Sequence, residues 1–156
     1  MSLTTRLDDD LKLAMKSGDK LRVSAIRMLK ARIQERQVAL RATEGRDARV
    51  DDPTALDVVA AYAKQRRDSI DSYRQGGRED LARREEAELE IIAEYLPKQL
   101  GEEDVRQVVR EAIAEAGATT PREIGAVMKL AMPRVKGAAD GKLVNRLARE
   151  LLTTDD

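Results

Sequence analysis

Four carboxylates, Glu85, Glu86, Glu88 and Glu90, crowd one short stretch of helical periodicity. Glu85 and Glu88 stand three apart and share a helix face. Two carboxylates on one face are the raw material of a metal site or an acid–base pair. A di-metal site in a helical bundle usually adds a Glu-x-x-His element, and the chain contains no histidine. The composition therefore favours a solvated acidic face, one that pairs with the basic second helix of the chain.

Two other segments invite a chemical reading. Lys64-Gln65-Arg66-Arg67-Asp68 offers cations for a phosphate, but Arg67 and Asp71 stand four apart, the spacing of an intrahelical ion pair. Gly76-Gly77-Arg78 resembles a phosphate-cradling loop ahead of a helix N-terminus. No strand precedes it, so it is neither a Walker A loop nor a dinucleotide fingerprint. A two-glycine helix stop explains it as well.

The strongest candidate is the stretch from Gly125 to Lys142 and the helix after it. Between Arg122 and Arg149 there are seven basic residues (Arg122, Lys129, Arg134, Lys136, Lys142, Arg146, Arg149) against two acidic ones, a net +5. Between Arg78 and Asp104 there are four basic residues against ten acidic, a net −6. Lys136 and Gly137 lead into a helix that starts near Asp140-Gly141, and Lys142, Arg146 and Arg149, spaced four and three, share one of its faces. A helix start flanked by cations and glycines suits a phosphate, and a cationic stripe suits a nucleic-acid backbone. The competing reading is a tight turn, Asp140 as a helix cap and a merely solvated basic face. No aromatic residue lies in this half to stack on a base, so binding here is expected to read backbone and shape, not sequence. Met128 and Met132 could line a small groove, though methionine at helical spacing more often fills a core.

What is missing narrows the chemistry. With no cysteine and no histidine, thiolate and imidazole metal sites and the usual activated nucleophiles are absent. The expectation is no catalytic residue, no cofactor and no metal. The equal numbers of basic and acidic residues, 29 of each, leave net charge silent about partners. No stretch approaches the roughly 20 apolar residues that span a bilayer. The N-terminal segment, acidic early and without an apolar run, reads as neither signal nor transit peptide. A cytoplasmic location is the resulting expectation.

The elements that must position these residues are helical. With no Phe or Trp and three Tyr, the core falls to Leu, Ile, Val, Met and Ala, as in helix bundles. Leu3, Leu7, Leu11 and Met15 mark a first helix stopped by Gly18, and Asp19 caps a second running through Ile26, Leu29, Ile33 and Leu40. Asp52-Pro53 reads as N-cap and first residue of a third, which Gly76-Gly77 ends. A fourth runs from about Arg78 to Leu96, where Pro97 breaks it. Val105 to Ile113 form a fifth, with Gly117 beyond its end. Thr120-Pro121-Arg122-Glu123 matches a capping box for a sixth that continues until Pro133. A seventh buries Val144, Leu147, Ala148 and Leu151. No strand pattern is present. The expected fold is all-α in two helical bundles: about four helices over 1–97, then a smaller three-helix domain over 98–156.

Several of these segments together resemble the GatB/YqeY family, in particular its free-standing YqeY-like members. They are Ile26-Arg27-Met28-Leu29-Lys30, Lys64-Gln65-Arg66-Arg67-Asp68-Ser69, Gly77-Arg78-Glu79-Asp80-Leu81, Glu86-Ala87-Glu88-Leu89, Tyr95-Leu96-Pro97, and Gly125-x-Val127-Met128-Lys129-x-x-Met132-Pro133-x-Val135-Lys136-Gly137-x-x-Asp140-Gly141-Lys142. The resemblance covers essentially the whole chain and implies two packed α-helical bundles. A similar domain forms the tail of the B subunit of the tRNA-dependent amidotransferase, where it helps to hold tRNA while chemistry occurs elsewhere. One departure is Ala138, where the motif would carry a basic residue, and this weakens a phosphate site there.

The leading expectation is a non-catalytic module that binds tRNA or other structured RNA through Lys129, Arg134, Lys136, Gly137, Lys142, Arg146 and Arg149. The first alternative is a protein-interaction adaptor that docks a protein partner through the acidic fourth helix or an inter-bundle groove. The second is an accessory to an amidotransferase. The family association with carbon-nitrogen ligase activity, glutamine as amido-N-donor, arises by resemblance only, and function belongs to sites, not folds.

Overall fold

The computed structural model describes residues 1–153; positions 154–156, the end of the second expected segment, lie outside the described residues. The described residues are all-helical, with no strand among them. Seven α-helices follow in order: α1 (Leu3–Ser17), α2 (Lys20–Glu44), α3 (Asp52–Gln75), α4 (Glu79–Ala93), α5 (Glu102–Ala116), α6 (Ile124–Val135) and α7 (Gly141–Thr153). The chain divides into two compact units, Met1–Leu96 and Pro97–Asp156.

The first unit contains α1 to α4. Its core is aliphatic, from Leu7 of α1, Ile26, Leu29 and Ile33 of α2, Val59 and Ala63 of α3 and Ile92 of α4, with Tyr62 and Tyr95 added. The aromatic phenols reach polar partners at the edge. Tyr62 donates to Glu88 Oε1 at 2.8 Å and Tyr95 to Asp10 Oδ2 at 2.5 Å. Gly18, in the left-handed region at φ 72°, closes α1, and Asp19 accepts from the Arg22 N–H to open α2. The cap of α3 is Asp51, not Asp52: Asp51 Oδ1 accepts from Thr54 N–H at 2.9 Å, which moves Pro53 to the second helical position.

The second unit contains α5 to α7 and a 3₁₀ turn at Pro121–Glu123. Val105, Val109, Val127, Ala131, Val135, Val144, Leu147 and Ala148 are fully buried in its core. Two expectations shift here. The Thr120 side chain makes no cap bond; the Glu123 carboxylate instead accepts from Thr119 N–H at 2.7 Å. α6 also runs past Pro133 to Val135. A proline there removes the N–H that would bond the Lys129 carbonyl and crowds that carbonyl, and Val135 beyond it is nevertheless buried in the core.

Candidate functional site

The acidic fourth helix resolves first. Arg66 of α3 bonds Glu85 Oε2 at 3.0 Å, Arg74 of α3 bonds Glu86 at 2.5 Å, and Tyr62 holds Glu88. The expected partner was the basic second helix, but these α4 acids pair with α3, against which α4 packs. The guanidinium of Arg66 also lies 5.1 Å from the Tyr62 ring centroid. Among the described residues no group of three or more His, Cys, Asp or Glu could hold a metal ion. Gly77, at φ 73°, makes the turn into α4, whose first turn is supplied by Glu79 and Asp80, with Arg78 bonded to Asp80. Anionic side chains thus already occupy the end of the helix that would attract a phosphate.

The cationic segment lies in the second unit. Gly137, left-handed at φ 75°, turns the chain after α6; a Cβ there would stand 3.2 Å from Pro97 Cδ. The turn is pinned twice more: Leu100 N–H bonds the Ala138 carbonyl at 2.9 Å, and Gln99 Nε2 bonds the Gly137 carbonyl at 2.7 Å. Ala138 is itself buried, so position 138 faces protein in this chain and offers no cation to solvent. Asp140 then caps α7: its side chain accepts from Lys142 N–H, and its carbonyl accepts from Leu143 and Val144. The cap and the phosphate-site readings of this helix start therefore compete for the same N–H groups.

Lys142, Arg146 and Arg149 do come together. With Asn145 and Glu150 of α7 and Met128 of α6, they line one open groove. Met132 packs elsewhere, against the core and beside Gly141. The cations are not equivalent. Arg146 bonds Glu102 at 2.7 Å and Glu150 at 3.0 Å. Those two hydrogen bonds raise its pKa, and the Arg146 bond lowers that of Glu102. Arg134 pairs with Glu115 of α5. Lys129 and Arg149 are exposed and have no ion pair among the described residues. Lys136 and Lys142 are exposed too, each with an interaction of its own.

The α5 carboxylates were the part of the site hidden from a linear reading. The +5 of the segment 122–149 is offset within its own unit, where Pro97–Asp156 holds ten basic and ten acidic residues. The available signal was the acidic first turn of α5, Glu102-Glu103-Asp104. Reading it required knowing that α5 packs on α7.

The model of the Yqey-like protein family matches residues 4–152, and the chain belongs to that family. Its curated relatives include proteins named "Altered inheritance of mitochondria protein 41, mitochondrial". That of Pyrenophora tritici-repentis is 29% identical over 151 residues, 94% of this chain and 79% of the relative. That of Vanderwaltozyma polyspora is 36% identical over 90 residues, 58% of this chain and 46% of the relative. That of Lachancea thermotolerans is 38% identical over 90 residues, again 58% and 46%. The chain thus spans about half the length of several relatives it matches. The names overturn the expectation of a cytoplasmic location, because these relatives are mitochondrial proteins. No helix among the described residues is long and apolar enough to cross a membrane.

Proposed function

We propose that this YqeY-like chain is a non-catalytic RNA-binding module whose second unit holds the sugar-phosphate backbone of a tRNA or similarly folded RNA. The observation that carries the reading is the α7 groove, where Lys142, Asn145, Arg146 and Arg149 converge beside Met128, with Lys129 next along α6. Lysine and arginine contact phosphate as charges and donors, and asparagine reaches sugar or phosphate by hydrogen bond. Contact falls first to Lys129 and Arg149, which have no ion pair among the described residues, and then to Lys136 and Lys142 in exchange for the interactions they already make; Arg134 and Arg146 serve Glu115, Glu102 and Glu150. The left-handed Gly137 makes the turn that separates Lys136 from the helix carrying Lys142. Binding of unfractionated tRNA to the full chain, followed as salt is raised, tests the reading. An affinity that does not weaken with salt would mean that phosphate contacts are not made.

Support of tRNA-dependent amide transfer rests on family resemblance alone. Its test is separate: the chain should raise the turnover of an assembled amidotransferase, and no stimulation at saturating concentration ends that reading.

A further inference from the structure

The first unit carries an apolar groove that its own fold leaves open. Of the large hydrophobic side chains that remain exposed, Leu13, Met15, Leu21, Met28 and Val38 all lie on α1 or α2. Met15 is 54% exposed and Met28 42%, and both line a groove between the end of α1 and the first half of α2. Val23 and Ala31 continue its apolar lining. Along α2 the exposed positions Leu21, Ser24, Met28, Ala31, Glu35 and Val38 alternate steps of three and four. That is the seam spacing with which one helix receives another. A surface helix normally turns such a stripe inward; α2 buries a separate one, Ile26, Leu29 and Ile33. The helix is therefore apolar on two faces, and one has no partner within its unit.

The charge around the groove is one-sided. Lys20 and Arg27 line it, and no acidic residue does. Lys12 and Lys16 flank Met15 on α1. None of these four cations has an ion pair among the described residues. Elsewhere on this hairpin Arg6 pairs with Asp10, Arg22 with Asp19 and Glu94, Lys30 with Asp8 and Arg32 with Glu35, while Arg36 and Arg41, farther along α2, have no ion pair among the described residues. An apolar floor with two methionines accepts varied apolar anchors, and a cationic rim selects against basic partners.

We infer that the α1/α2 groove around Met15 and Met28 docks an acidic amphipathic helix of a partner protein, about three turns long. The length follows from the lining, since Lys20 to Ala31 covers roughly 17 Å at about 1.5 Å per residue. The apolar face of the incoming helix, spaced i, i+3, i+4, i+7, sits on Met15, Val23 and Met28. Its acidic flanks meet Lys20 and Arg27. This surface belongs to a different unit from the α7 groove, so the two functions stand or fall separately.

Three helix-stapled 12-residue peptides test it against the full chain carrying ¹³C-methyl methionine. One has leucines on a single face and glutamates elsewhere. The second replaces every glutamate by lysine. The third keeps the acidic composition but scatters the leucines around the helix. The expected result is saturable binding of the first peptide, with shifts at the Met15 and Met28 methyls. Met28→Glu should weaken it at least tenfold, and the Lys20→Glu/Arg27→Glu double variant should transfer preference to the lysine peptide. Both variants alter exposed side chains, and an unchanged thermal melt shows that the fold survives. Equal binding of the lysine or scattered peptide, or no methyl shift at millimolar peptide, overturns the proposal. So does methyl broadening that grows with protein concentration alone and disappears in Met28→Glu, which would assign the groove to a second copy. Displacement of the peptide by tRNA at these methyls would assign it to a polyanion instead.

Discussion

Arg146 and Arg149 sit three residues apart on one face of α7, yet they should contribute unequally to RNA binding. The perturbation is removal of one cation at a time. If Lys129, Lys136, Lys142 and Arg149 each meet a phosphate, about four counterions are released. The slope of log affinity against log salt is then roughly −2.8 to −3.6, at about −0.7 to −0.9 per contact. A fourfold rise in salt, from about 50 to about 200 mM, therefore weakens binding roughly 50- to 150-fold. Lys129→Ala or Arg149→Ala should each make the slope shallower by about 0.7 to 0.9. Arg146→Ala should change it less than half as much, because Glu102 and Glu150 already hold that guanidinium at 2.7 and 3.0 Å. The complementary variant Glu102→Gln/Glu150→Gln releases Arg146 and should steepen the slope. Filter binding of ³²P-labelled tRNA across five salt concentrations measures all of these. Equal losses from Arg146→Ala and Arg149→Ala, or no gain from the paired glutamine variant, would refute the distinction between engaged and available cations.

The remaining expectations concern stability. Gly137→Ala and Gly117→Ala both force alanine into the left-handed region, at φ 75° and 64°, which costs roughly 1–2 kcal/mol. Gly117 has open space around it, whereas Gly137 also meets Pro97 at 3.2 Å, so urea unfolding should show the larger loss for Gly137→Ala. Gln37, 9% exposed, donates to the Ala48 carbonyl at 2.6 Å and accepts from Val50 N–H at 2.9 Å. Gln37→Leu leaves the Val50 N–H unpaired and the Ala48 carbonyl with only the 3.4 Å bond from Arg49, and should cost about 1–3 kcal/mol, with faster hydrogen exchange at Val50. Burial, reinforced by the bond to Glu88, pushes the Tyr62 phenol up to about 12, and burial with Asp10 raises Tyr95 as well. These phenols hold their protons longer folded than unfolded. Their contribution is complete below the unfolded value of about 10 and is lost as pH rises from there through the folded values. Tyr62→Phe should flatten the alkaline fall in stability, and ultraviolet titration of the phenolate should lose a late-titrating component.

The fold was legible because each helix carries its own punctuation. Gly18, Asp19 and Gly117 stop or start segments by local backbone chemistry, and such signals need no tertiary context, whereas α4 ends at Ala93, short of the Leu96 that Pro97 suggested. The misreadings cluster where two adjacent residues can perform one task. Asp51 and Asp52 are both capable caps; Asp51 accepts from the Thr54 N–H, while Asp52 accepts from the Leu3 N–H of α1. Pro133 looked like a terminator because proline ends most helices, but α6 runs on to Val135, which is buried two residues later.

The site was less legible for a different reason. Helical periodicity places residues of one helix on a common face, so Lys142, Arg146 and Arg149 could be grouped from spacing alone. It says nothing about which side chains of another helix arrive at that face. The acids of α5 stand some forty positions from Arg146 in the chain and within ion-pairing distance of it in space. The same blindness acted in the opposite sense on α2, where the cations around Met28 resembled those of an ordinary solvated helix. Only the burial of α2's other stripe shows that the Met28 face is surplus to the core. A cation matters for recognition when the fold leaves it unmatched. In this chain that condition separates Lys129 and Arg149 from Arg134 and Arg146, and Lys20 and Arg27 from Arg22 and Lys30.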